Sequence, residues 1–177
     1  KHHGIVLGIP RGGIPIACRI AEFLEWDILP LLVKKISHPD NSEYAIGAVG
    51  LKGAFVDPQH AALPPTHIHH EIQRQRTVLK KRFTQYHCKP CALEHRVVMI
   101  VDDGIATGLT MKYAIEVVRQ ERPRSIVIVT PVASMDAVRM LRPLVEDLIV
   151  LHTPHNLGAI GEWYDNFGEV TDDDVVK

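Results

Sequence analysis

The chain is short of several things, and each shortage excludes a class of protein. Three cysteines in 177 residues, Cys18, Cys88 and Cys91, are too few and odd in number for a disulfide framework. No apolar run approaches the ~20 residues that a membrane-spanning helix needs, so no membrane partner is expected. The formal net charge is -1, which gives no bulk attraction to nucleic acid or to acidic membranes. Any anion site must therefore be local. No secretory signal opens the chain; after Lys1-His2-His3-Gly4 it passes at once into an apolar run. That abrupt start leads us to expect a preceding N-terminal element. Reduced thiols and the missing signal suggest a cytoplasmic location. Two common phosphate motifs are also missing: there is no G-x-x-x-x-G-K-[ST] and no G-x-G-x-x-G.

What remains is ordinary globular material, 46% hydrophobic and 23% charged, and long enough to bury one core. The reading is a single domain over residues 1–177. Ile5 to Ile9 is a short buried strand, broken by Pro10-Arg-Gly-Gly13. A helix should run from Ile14 to Glu25, with Ile16, Ile20, Phe23 and Leu24 as its buried stripe. Leu31 to Val33 reads as a second strand with Pro30 at its first position, and Ser37 to Glu43 as a loop. Tyr44 to Val49 and Ala54 to Val56 are candidate short strands. A helical segment is inserted at about 58–90, its long helix running from a Thr66 cap to Gln85 with Ile68, Ile72, Leu79 and Phe83 in phase. Val97 to Val101 is continuous and apolar, as a parallel strand covered on both faces should be. A turn from Asp102 to Gly108 follows, then a helix from Leu109 to Glu121, a strand from Ser125 to Val132, a Ser134-capped helix to Leu144, and a strand from Leu148 to Leu151. The tail, about 152–177, is irregular. Strands alternating with helices predict an α/β fold with a parallel sheet.

The chemistry concentrates in Val98-Met-Ile-Val-Asp-Asp-Gly-Ile-Ala-Thr-Gly-Leu-Thr110. A buried strand ends in two acids, and a turn of small and hydroxyl residues opens a helix. Successive backbone N–H groups in such a turn, with the positive end of the helix dipole, make an anion site. Thr107 and Thr110 add hydroxyl donors, and two adjacent carboxylates can accept from a sugar diol. A second turn, Gly8-Ile-Pro-Arg-Gly-Gly13, offers glycines that let the backbone approach an anion and an arginine that can bond to it.

These two segments resemble the signatures of the type I phosphoribosyltransferases, and the shared elements span most of Ile5 to Leu151. A group of bacterial proteins in that family carries the same Gly8 to Gly13, Ala45 to Val49 and Trp163-Tyr164 elements. The resemblance implies the type I phosphoribosyltransferase fold: a parallel sheet with helices on both faces, an inserted helix and a C-terminal hood. It implies that Asp102 and Asp103 hold the ribose 2- and 3-hydroxyls, act as the catalytic pair, and sit near Mg²⁺, directly or through water. It implies that Gly104, Ile105, Ala106, Thr107, Gly108, Leu109 and Thr110, with the two acids, enclose the 5-phosphate of phosphoribosyl pyrophosphate. Arg11, Gly12, Gly13, Lys34 and Lys35 would bind its pyrophosphate, and Ser37 to Tyr44 would be a mobile lid. The acceptor, a nitrogenous ring as in nucleotide metabolism, would lie under a hood from His152 to Gly168, where Trp163, Tyr164 or Phe167 could stack on it. Family members are often homodimers.

The pattern also departs from the family. Ala106 stands where 6-oxopurine enzymes place an acid able to serve as general base, which argues against that substrate class. Gly104 replaces a common apolar residue and would widen the acceptor side; Leu109 replaces a frequent glycine. Three readings share the pocket: a magnesium-dependent transferase, a non-catalytic sensor of phosphoribosyl pyrophosphate that regulates a partner, and a hydrolase that uses water. Cys88-Lys-Pro-Cys91 and the pair His67 and His70 resemble partial metal sites, but each lacks a full ligand set.

Overall fold

The computed structural model describes residues 4–60 and 62–176, with the side chains of Ser42 and Glu43 left aside. Five parallel strands form its centre: β1 (Ile5–Gly8), β2 (Asp27–Pro30), β6 (Val97–Val101), β7 (Ser125–Val132) and β8 (Asp147–His152). They lie in the order β2-β1-β6-β7-β8. Strand alternation divides the apolar residues between two faces. Ile5, Leu7, Val98, Ile100, Ile126 and Ile128 pack with Met111, Ile115 and Val118 of α3 (Leu109–Arg119) and with Ala137 and Leu141 of α4 (Met135–Leu141). Val6 and Val101 pack on the opposite face with Ala17 and Ala21 of α1 (Gly13–Leu24). Helices thus flank both faces.

Several expectations need correction. The buried residues of α1 are Gly13, Ile14, Ala17 and Ala21, whereas Phe23 is 86% exposed. Small residues on the sheet-facing side let the helix lie close to β1, while Ile16 and Ile20 pack at the rim of the contact. Strand β2 lies four residues earlier than expected, with Pro30 at its last position. Proline is tolerated there because β2 is an edge strand. The expected loop from Ser37 to Glu43 is mostly a hairpin of β3 (Val33–His38) and β4 (Asn41–Gly50), and β4 also pairs antiparallel with β5 (Ala54–Val56) in this second sheet.

The inserted helix α2 (Pro65–Gln85) starts with Pro64 as N-cap and Pro65 inside its first turn, so Thr66 is not the cap. Its apolar stripe behaves as expected: Leu79 is buried with Ile36, Ile46 and Val49, and Ile68, Ile72 and Phe83 pack alongside. Ser134 caps α4 by accepting from the Ala137 N–H at 3.0 Å. The tail ends in a short helix, α5 (Asp172–Val176). Cys88 packs toward the core beneath α2, Cys91 toward the sheet core, and all three thiols are free. Among the described residues no cluster of three or more His, Cys, Asp or Glu side chains could hold a metal, and no helix is long and apolar enough to cross a membrane.

Candidate phosphosugar site

Both candidate turns lie at the carboxyl ends of neighbouring strands, β1 and β6, where open α/β sheets bind ligands. The Ile9 N–H donates to the Val101 carbonyl at 2.8 Å and so ties the two turns together at their base. Glycines let the two turns touch. A Cβ at Gly12 would stand 1.7 Å from Asp103 Oδ2, and one at Gly13 would stand 2.6 Å from the Val101 oxygen. Arg11-Gly-Gly13 and the acid pair therefore form one continuous surface. The Pro10–Arg11 peptide is cis.

The turn after β6 is open. Ile105 is fixed beneath it by a bond from its N–H to the Val132 carbonyl at 2.9 Å, and Ser134 Oγ donates to the Ala106 carbonyl at 2.6 Å. The Ile105 carbonyl accepts from the Ser134 N–H at 3.0 Å. These carbonyls thus point into the protein and are satisfied. The N–H groups of Ala106, Thr107 and Gly108 have no acceptor among the described residues. Leu109 N–H meets only Thr107 Oγ1, at a long 3.5 Å. Gly108 has φ of 77°, a left-handed conformation that glycine adopts without strain, and it starts α3 with no side-chain cap. Ala106, Thr107, Leu109 and Thr110 are exposed. Unpaired amides at a helix N-terminus can form an anion cup.

Asp102 and Asp103 stand beside the cup. Asp102 Oδ1 accepts from the Asp103 N–H at 2.9 Å. Burial pushes the Asp102 carboxyl well above the usual carboxylate range, and the neighbouring Asp103 charge adds to this. Asp103 is also raised by burial, with hydrogen bonds from its surroundings opposing the shift. Two partly desolvated acids with no basic side chain bonded to them among the described residues suit a cation or a pair of hydroxyl donors.

Arg11 points toward the C-terminal tail. A cavity of about 340 Å³ is lined by Arg11, Pro15, Ile16, Asp103, Tyr164 and Phe167, together with tail residues up to Val170. The tyrosine and phenylalanine ring centroids are 5.0 Å apart. Tyr164 Oη donates to the Asp103 carbonyl at 2.5 Å, and burial pushes its phenol up to about 12. Trp163, expected to stack on an acceptor, is used by the tail itself. Its indole N–H donates to the Leu157 carbonyl at 2.8 Å, and its ring stacks on His152 at 6.0 Å. Gly104 does not widen the acceptor side as expected, because Ile160 fills the space over it; a Cβ there would be 2.5 Å from that side chain. Lys34 and Lys35 lie inside β3, and neither lines the cavity that holds Arg11 and Asp103. Sequence reasoning missed Glu169, whose carboxylate meets Arg11 at 3.2 Å. No local signal marks it.

The chain is similar to several known proteins. TT1426 from Thermus thermophilus superposes with a TM-score of 0.89 at 40% identity, covering 98% of this chain and 85% of that one. AQ2163 from Aquifex aeolicus shares the fold at 12% identity with a TM-score of 0.51, over 85% of this chain and 54% of that one. "Putative phosphoribosyl transferase Rv0571c" of Mycobacterium tuberculosis is 33% identical over 97% of this chain, which spans 40% of that protein's length. The phosphoribosyl transferase domain family matches residues 2–149. That match takes in both turns and every strand of the parallel sheet but the end of the last, so the chain belongs to the phosphoribosyl transferase domain family.

Proposed function

We propose that the protein transfers the phosphoribosyl group of phosphoribosyl pyrophosphate to a nitrogenous, ring-shaped acceptor, with release of pyrophosphate. The observation that carries this reading is the row of unpaired amides from Ala106 to Gly108 beside the Asp102–Asp103 pair. The cup takes the 5-phosphate and the acids take the ribose hydroxyls. Arg11, backed by Gly12 and Gly13, faces the leaving pyrophosphate. The slot between Ile16 and Phe167 takes the acceptor, with Tyr164 and Phe167 rather than Trp163 as its aromatic wall.

Mg²⁺ fits this site. It is a hard cation that prefers carboxylate and phosphate oxygens, and a bound cation would relieve two carboxylates that burial raises. Asp102 and Asp103 would hold it, directly or through water, and it would offset charge on the pyrophosphate. The protein's own contribution is positioning and electrostatic complementarity: donors fixed before the substrate arrives cost no reorganisation during the reaction.

A panel of purine, pyrimidine and other nitrogen-ring acceptors, incubated with phosphoribosyl pyrophosphate and Mg²⁺, tests the reading through pyrophosphate release. Release that depends on one acceptor class supports it. Tight binding of phosphoribosyl pyrophosphate without release on any acceptor would favour the regulatory sensor, for which Ala106, a position without a carboxylate, is the motivating residue. Release that needs no acceptor would indicate the hydrolase.

A further inference from the structure

The arginine assigned to the leaving group already has an anionic partner. Glu169 lies 158 positions away in the chain, yet its Oε1 accepts from Arg11 Nη2 at 3.2 Å, and both residues line the same cavity as Asp103. Both side chains are open to solvent, Arg11 at 42% and Glu169 at 77%. Such a pair is weak on its own. It is maintained because the tail is fastened on both sides of it. Upstream, Tyr164 Oη bonds the Asp103 carbonyl at 2.5 Å; downstream, Tyr86 Oη donates to Asp172 Oδ1 at 2.5 Å, and Val175 packs against the core under α2. A carboxylate tethered this way competes for Arg11 as an intramolecular ligand, with the effective concentration of a short linker, on the order of millimolar.

We propose that Glu169 is a built-in competitor for the leaving-group position, and that a pyrophosphate group takes Arg11 from it and loosens residues 165–170 over the cavity. This inference rests on Arg11 being the leaving-group ligand. The physical reason for exchange is charge and geometry. Pyrophosphate brings several anionic oxygens to the guanidinium fork, where Glu169 brings one bond. Because Asn166, Phe167, Gly168 and Glu169 all line the acceptor slot, the exchange also couples occupation of the leaving-group position to the shape of the acceptor position.

The test is calorimetry of wild type, E169Q and D172N with inorganic pyrophosphate plus Mg²⁺, with phosphoribosyl pyrophosphate, and with ribose 5-phosphate. E169Q should bind both pyrophosphate-bearing ligands about two- to fivefold tighter, the range for release of one exposed ion pair, and ribose 5-phosphate equally. D172N weakens the downstream tie without touching Arg11, lowers the effective concentration of Glu169, and should give a smaller gain than E169Q. Hydrogen exchange across residues 165–170 of wild type should accelerate when pyrophosphate and Mg²⁺ are added. Equal affinities in wild type and E169Q would overturn the competition, as would a gain in D172N as large as in E169Q. Failure of phosphoribosyl pyrophosphate to bind any of the three proteins is a separate result, which removes the reading of the site as well.

Discussion

The two turns of the proposed site stand side by side but in different conditions. In the turn from Ala106 to Thr110, the N–H groups of Ala106, Thr107 and Gly108 have no acceptor among the described residues, and its base is anchored by Ser134 and Ile105. The turn around Arg11 is occupied by a carboxylate from the far end of the chain. The first is built from backbone, so its geometry follows from a strand, a left-handed glycine and a helix start. The second depends on a flexible side chain, so its state depends on whatever anion is near. A backbone site is preformed; a side-chain site can be contested.

The strongest way to break this comparison is to remove the acids between the two turns. Replacing Asp102 and Asp103 together by Asn should weaken phosphoribosyl pyrophosphate binding by more than about a hundredfold, since each charge-assisted bond contributes roughly 1.5–3 kcal/mol. The same variant should melt at a higher temperature than wild type, because two desolvated charges are removed. Calorimetry and thermal melting check both halves. Next in size is Arg11→Ala. It should weaken pyrophosphate binding by about 10- to 100-fold while leaving ribose 5-phosphate affinity unchanged. A parallel loss for ribose 5-phosphate would mean that the two turns are one site.

The comparison sharpens with pH. Both carboxyls are raised in the folded protein, chiefly by burial. The folded state therefore holds these protons more tightly than the unfolded chain does. Ligand-free stability from this pair should increase as pH falls from neutral through the raised values toward the ordinary carboxylate range, and level off below it. Ligand binding needs the ionised acids and should change in the opposite direction, weakening as pH falls. Thermal melting with and without Mg²⁺ and phosphoribosyl pyrophosphate, scanned over pH, reads the two trends. The Asn–Asn variant should flatten both. The smallest effect is expected from Tyr164→Phe, which removes the tie between tail and acid loop. It should cost about 1 kcal/mol and lower the melting temperature by about 2–4 °C.

The difference between the turns also explains what could be read from the sequence. Val98 to Thr110 was legible because strand, acids, turn and helix start are contiguous, and their geometry is decided by neighbours a few residues apart. Strand β7, with its strict burial alternation, and the in-phase stripe of α2 were legible for the same reason. The face of α1 was not. Hydrophobicity alone favours Phe23, but close approach to β1 selects Ala17 and Ala21, and that constraint comes from the sheet. Pro30 misled in a similar way, since its tolerance depends on β2 being an edge. The pairing of Glu169 with Arg11, the filling of the space over Gly104 by Ile160, and the use of Trp163 within the tail all depend on how the tail returns across the sheet. Periodicity carries no information about such long-range returns.

Phosphate binding in the proposed site depends first on the unpaired amides of the turn after β6. Titrating uniformly ¹⁵N-labelled protein with ribose 5-phosphate, and following its amide resonances, addresses them directly. The largest shifts should fall on Ala106, Thr107, Gly108 and Leu109, with the Arg11 turn and residues 165–170 little affected. Saturable binding that leaves those four amides unmoved would contradict the cup.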